Sequence, residues 1–323
     1  MLDVIKGLAM FGVIAQHAVP KDQLAGVAGS LWVRQAVTVF LVVMGLNATR
    51  SMLRQGPAPL RELAGAEYWT SRFWRLLAPV LVFAVISTLI GAARGGLEIG
   101  PTILLGQMPY PGPGGYFVTL VLTFAVVFPV LFVLFRAHPV ATVAGCFAVS
   151  LAVEAAALQV DAISGQQYPF VYVASLARYL GVVGVGMWLA VDARPFVARN
   201  LWLWIGAPIG IAYLVWLDTG QPSFTDVGPS FLATAFPAAC YAGLVVALLL
   251  ALPVSARGGR LLEPVALVGR ASFHIFLVQM LVFRLLPGSG ADTFVLATAL
   301  SCAIGIVFFR VMPTSWPGRA RGA

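Results

Sequence analysis

The sequence predicts an all-α polytopic membrane bundle of about ten transmembrane helices, and three observations predict it. The chain of 323 residues is 60% hydrophobic and only 10% charged, whereas a soluble domain carries roughly 25% charged residues. Apolar stretches near the ~20 residues needed to cross a hydrocarbon core recur from one end to the other. Basic residues gather in alternate connections between those stretches, so the formal net charge of +8 reflects membrane topology and calls for no nucleic-acid partner. A transmembrane barrel would show period-two alternation in short segments, and the sequence does not.

The first expected span covers residues 2–19. It has the length of a signal peptide, but Asp3 stands where a basic n-region belongs and no cleavage site follows, so an uncleaved helix is expected. The second covers 30–49. After it comes a long connection in which Gln55-Gly56-Pro57-Ala58-Pro59 reads as a turn. The third span covers 74–93, and the Gly/Pro-rich stretch Met108-Pro109-Tyr110-Pro111-Gly112-Pro113-Gly114-Gly115 separates it from the fourth, 116–135. The remaining spans fall at 139–160, 172–191, 200–217, 229–252, 265–286 and 293–312.

Charge fixes the orientation. Arg50, Arg54, Arg61, Arg72 and Arg75 crowd the second connection, Arg136 the fourth, Arg194 and Arg199 the sixth, Arg257 and Arg260 the eighth, and Arg319 and Arg321 the tail. The intervening connections hold only Lys21 and Arg94. By the positive-inside rule the basic connections and both termini are cytoplasmic. Cys146, Cys240 and Cys302 each lie in an apolar run without a CxxC partner and read as packing residues. Three dispersed histidines make no zinc set, so no metal is expected. No repeat or separate soluble domain interrupts residues 1–323, which read as one domain.

The chemistry-bearing residues sit inside the spans. Lys6 and His17 lie on the first helix, eleven residues apart. That spacing is about three turns, so both share one face, roughly 16 Å apart along the axis. Ionisable groups in a spanning helix are costly and usually face the bundle interior or a wet cavity. Histidine exchanges protons near neutral pH, which makes His17 the leading catalytic candidate. With the N-terminus inside, Lys6 lies near the cytoplasmic end. His17, Arg34, Glu154, Arg178 and Gln279 share the outer half, where a polar cavity opening outward is expected. Glu154 has two readings, as a partner for the imidazole or as a structural partner of Arg34 or Arg178. His274 on an apolar face reads as a packing histidine, and His138, in a short loop, as bland.

Four segments resemble the acyltransferase-3 family of integral-membrane acyltransferases. Leu2-Asp3-Val4-Ile5-Lys6 through His17 is similar to its opening helix, a Leu-Asp pair followed by Arg or Lys, ten residues and His. Phe40-Leu41-Val42-Val43-Met44-Gly45-Leu46 resembles its Phe-rich second helix, and Arg72-Phe73-Trp74-Arg75-Leu76-Leu77-Ala78-Pro79 its basic start to the third. Gly269-Arg270-Ala271-Ser272-Phe273-His274-Ile275-Phe276-Leu277 resembles its late Gly-Arg-x-Ser-aromatic motif. Three positions depart from the pattern: Met44 stands where Ser is frequent, Gln279 where many members have His, and Gly115-Tyr116-Phe117 replaces a Trp-Phe pair.

The resemblance implies an acyl-CoA donor, with acetyl-CoA expected, no permanently bound cofactor, and as acceptor a hydroxyl of a glycan or lipid-linked sugar, as in polysaccharide O-acetylation. It is expected to act from a bacterial inner (plasma) membrane, among membrane lipids. Lys6, Arg72 and Arg75 are the expected donor-binding cations, since Arg forks match phosphate geometry. His17 would act as general base or transient acyl carrier, with Glu154 orienting it and Arg34, Arg178 or Gln279 serving the oxyanion or substrate. A polar intramembrane cavity also suits a transporter or flippase for a lipid-linked sugar, which would move substrate without consuming thioester.

Overall fold

A computed structural model describes residues 1–20, 23–24, 29–98, 100, 103, 106–164, 174–219, 238–253, 256–286 and 288–312. Lys21, Arg319, Arg321 and the first part of the expected eighth span lie outside the described residues. All described regular structure is helical. The order is α1 Leu2–Ala18, α2 Gly29–Trp32, α3 Ala36–Leu53, α4 Leu60–Leu63, α5 Ala66–Arg72, a π-helical turn Phe73–Leu77, α6 Ala78–Arg94, α7 Tyr116–Ala137 and α8 Pro139–Ser164. Then follow α9 Leu176–Val191, a 3₁₀ turn Ala198–Asn200, α10 Leu201–Asp218, α11 Ala239–Ala251, α12 Ala256–Arg270, α13 Ser272–Leu285 and α14 Ala291–Val311.

Each stretch expected to span carries helix. Among the described residues, five helices are long and apolar enough to cross a membrane, or six if the bent pair α12–α13 forms one span. The difference from ten has physical causes. α1 is 17 residues long and carries Asp3 and Lys6, α9 has 16 residues, and α11 has 13 among the described residues. A 66° bend at Ala271 divides the expected ninth span.

The second connection is more ordered than a turn. Gly56 supplies a left-handed residue at φ 80°, and α4 and α5 follow. α5 then runs through the π turn into α6, which has Pro79 in its first turn. α6 ends on Gly95 in the left-handed conformation, the common glycine stop.

The packing centre is α3 against α9, with α8 on the far side of α9 and α1 against α3 and α12. Backbones meet there because glycine lets them. A Cβ on Gly45 would strike the Val183 carbonyl, and one on Gly186 the Val42 carbonyl. Gly7 and Gly269 do the same for α1 and α12, meeting Val265 and Asp3. Small residues at crossings are the membrane solution, since lipid tails leave little hydrophobic drive between helices. Leu81, Val85 and Leu89 on α6, and Val295, Ile304 and Val307 on α14, stay exposed, as a lipid-facing surface should.

Candidate active site

A cavity of about 850 Å³ opens among α1, α3, α5, α7 and α13. Lys6, Arg50, Arg54, Arg72 and Arg75 line it, together with Glu62 and Glu67. Arg61 does not line it. The cations arrive by separate routes: Lys6 from the second turn of α1, Arg50 from the last turn of α3, and Arg72 and Arg75 from α5 and its π turn. A π turn inserts an extra residue into the helix and re-aims the side chains around it, a device common at functional sites.

The rim is held in place by local bonds. Lys6 Nζ pairs with Asp3 Oδ1 at 2.6 Å. The Arg72 guanidinium lies 4.8 Å over the Tyr68 ring, and the Tyr68 hydroxyl donates to the Ala125 carbonyl at 2.6 Å, tying α5 to α7. Arg50 Nε donates to the Ala190 carbonyl at 3.4 Å.

Deeper in, the wall turns apolar: Phe40, Met44, Phe117, Phe273 and Phe276 line the same cavity, with Ser272 supplying a hydroxyl. The bend at Ala271 brings Ser272 and Phe273 to this wall. Phe117 packs against Phe276 with ring centres 4.8 Å apart, and against Phe40 at 6.1 Å.

His17 lies in the last turn of α1 and is not among the residues lining this cavity. Its imidazole meets the Phe283 ring edge-to-face at 5.7 Å. Gly114 of the Gly/Pro-rich loop, at φ 86°, sits beside it. A Cβ there would lie 3.5 Å from His17 Nε2 and 3.3 Å from Phe276 Cζ. The loop is seated by Gly112, where a Cβ would strike the Met280 carbonyl. Phe276, Met280 and Phe283 therefore share the face of α13 turned to the loop and His17, and Gln279 lies within about 60° of that face at 100° per residue. Gln279 is fully buried, and neither amide atom has a hydrogen-bond partner among the described residues.

The structure brings some of the expected residues together and separates others. Lys6, Arg72 and Arg75, the expected donor-binding cations, line one cavity at the Lys6 end of α1. Glu154 and Arg178 join each other, Arg178 Nε donating to Glu154 Oε1 at 2.5 Å, with both side chains buried. Arg34 lies in the turn between α2 and α3, its N–H donating to the Gly29 carbonyl at 3.0 Å. His274 nests against Phe308 and Phe309 at 5.1 and 5.4 Å. No group of three or more potential metal ligands occurs among the described residues. Sequence reasoning missed Tyr68, Gly114 and the Phe40–Phe117–Phe276 cluster. Only the Gly/Pro density around Gly114 carried a readable signal.

The α9–α10 turn is clamped by hydrogen bonds of the buried Asn200. Trp188 Nε1 donates to Asn200 Oδ1 at 2.9 Å, and Asn200 Nδ2 donates to the carbonyls of Asp192 and Arg194 at 2.9 and 2.7 Å. Hydrogen bonds from Arg194 hold the Asp192 carboxyl at about 2.

A family model described as an acyltransferase domain, that of acyltransferase-3, matches residues 1–310. No curated protein and no solved structure matches the chain.

Proposed function

This chain belongs to the acyltransferase-3 family and is a multi-pass membrane acyltransferase, and on that premise we propose that it moves an acetyl group from acetyl-CoA to a hydroxyl of a glycan or lipid-linked sugar. The observation that carries the reading is the cavity with four arginines and Lys6 at its rim and an aromatic inner wall on the side of His17. A nucleotide bearing several phosphates suits the rim, because guanidinium forks bind phosphate oxygens in pairs. The pantetheine arm, extended along α1 past Lys6, covers the roughly 16 Å that separates Lys6 from His17.

At His17, the neutral imidazole takes the proton of the acceptor hydroxyl while its oxygen attacks the thioester carbonyl. The tetrahedral oxyanion then collapses, the C–S bond breaks, and the imidazolium returns the proton to the departing thiolate. In the two-step version the imidazole nitrogen attacks the thioester carbonyl and expels the CoA thiolate, which takes the imidazole proton; the acceptor hydroxyl then attacks the acyl-imidazole, and its proton passes to the imidazole as the C–N bond breaks. Gln279 is the favoured oxyanion or substrate ligand, because its buried amide leaves a donor and an acceptor unmatched. Arg34 is the cationic candidate for the same role. Glu154 and Arg178, which pair with one another, are better suited to holding α8 on α9 than to orienting His17.

The test is donor kinetics on rim variants. Arg72→Ala and Arg75→Ala are expected to raise the apparent KM for acetyl-CoA about tenfold each with a smaller change in kcat, since uniform binding is what they supply. Raising salt should weaken wild-type donor binding more than that of the double variant. An unchanged donor KM in both variants would remove the nucleotide from this cavity.

A further inference from the structure

We infer that Phe40, Phe117 and Phe276 form an aromatic partition between the basic-rimmed cavity and His17, and that this partition restricts the donor to a short acyl chain. The inference rests on the acyltransferase reading above and adds a specificity element to it. Three different helices contribute one ring each: α3, α7 and α13. The rings touch in series, Phe40 to Phe117 to Phe276, and all three line the cavity. Phe276 also reaches the opposite side, where its Cζ and His17 Nε2 both lie within 3.5 Å of the point a Gly114 side chain would occupy. One ring thus has the donor cavity on one side and the catalytic imidazole on the other.

Space beyond the partition is small. Gly114 has no side chain, and the gap it leaves between the Phe276 ring and the imidazole is the size of one methyl group, because ordinary carbon contacts need about 3.5–4 Å. An acetyl methyl fits such a gap. A longer chain would have to push aside Phe117 and Phe276, which are 8% and 4% exposed and packed into the core. Displacing packed rings costs far more than moving a surface side chain. A hydrophobic pocket discriminates by about tenfold or more per excess or missing methylene, so the partition is strong enough to set a chain-length limit.

The experiment compares initial rates of CoA thiol release from acetyl-CoA and octanoyl-CoA. Purified protein in lipid nanodiscs is supplied with an extract of its own membranes as acceptor. Donor binding is read in parallel as a shift in unfolding temperature. Wild type should favour acetyl-CoA by at least about tenfold. Phe276→Ala should bring the ratio of the two rates at least about tenfold towards octanoyl-CoA, and Gly114→Ala should slow both donors. Phe276→Leu and Phe117→Leu keep the core filled and should shift the ratio the same way by less, so they decide the matter if Phe276→Ala does not fold. A chain-length ratio identical in wild type and every folded Phe variant, with thiol still released, would overturn the partition and leave the acyltransferase reading intact. Wild type that releases no thiol and is stabilised by neither donor would overturn that reading, and the partition with it.

Discussion

Gln279 carries a cost to the fold that a role in the site would explain. Its amide is fully buried, with no partner for nitrogen or oxygen among the described residues, a state that costs about 1–3 kcal/mol for an unsatisfied polar group. Gln279→Leu, of similar volume, is therefore expected to raise the unfolding temperature while lowering acyl transfer, the trade-off typical of functional sites. A variant both more stable and fully active would make Gln279 a packing residue. The Glu154–Arg178 pair should behave in the opposite way. Glu154→Gln leaves a buried guanidinium without its counter-charge and should destabilise by about 3–5 kcal/mol. Glu154→Gln with Arg178→Met together should cost less than the two singles summed, measured as a double-mutant cycle in detergent unfolding. That Lys6 and His17 lie on one helix was legible from the sequence, because helical periodicity is a property of one segment. The Glu154–Arg178 pairing could only be offered as one of several, since two helices of unknown neighbourhood give no rule for which charges meet.

At the scale of elements, glycine decides which helices touch. The α3–α9 crossing brings Gly45 and Gly186 against opposing backbone, and no side chain can be added there without separating the helices. Gly186→Val is expected to destabilise by about 3 kcal/mol or more through overpacking, whereas Gly145, which has open space around its Cβ position, should accept alanine with little change. The comparison needs only unfolding midpoints of the two variants. At the α9–α10 turn, Asn200→Ala removes one of the two acceptors for Trp188 and two hydrogen bonds donated to the chain ahead. It should cost about 1–3 kcal/mol and loosen the segment Asp192–Asn200 to hydrogen exchange. Hydropathy located the long helices well. It could not foresee the π turn at Phe73–Leu77 or the bend at Ala271, because hydropathy reports how apolar a stretch is and not the path its helix takes. The break at Ala271 matters most, since it turns a span into a wall of the cavity.

The whole molecule joins two separately readable halves. Charge alternation predicts one face rich in arginine, and the first helix carries an imidazole about three turns from Lys6; the bundle adds the basic-rimmed cavity and its aromatic wall. Depth along the spans placed Lys6 and the arginines toward one end and His17 toward the other, but depth says nothing about which helices sit side by side, so the Phe40–Phe117–Phe276 wall had no signal in the sequence.

The central claim is that His17 performs acyl transfer with a donor held by this basic rim. The most direct measurement is acceptor-stimulated thiol release from acetyl-CoA by His17→Ala beside wild type, with unfolding midpoints showing that both are folded. Loss of an acid–base group of this kind lowers transfer by about 10²–10⁴-fold, and the variant should keep its stabilisation by acetyl-CoA. Transfer at the wild-type rate by folded His17→Ala would contradict the account.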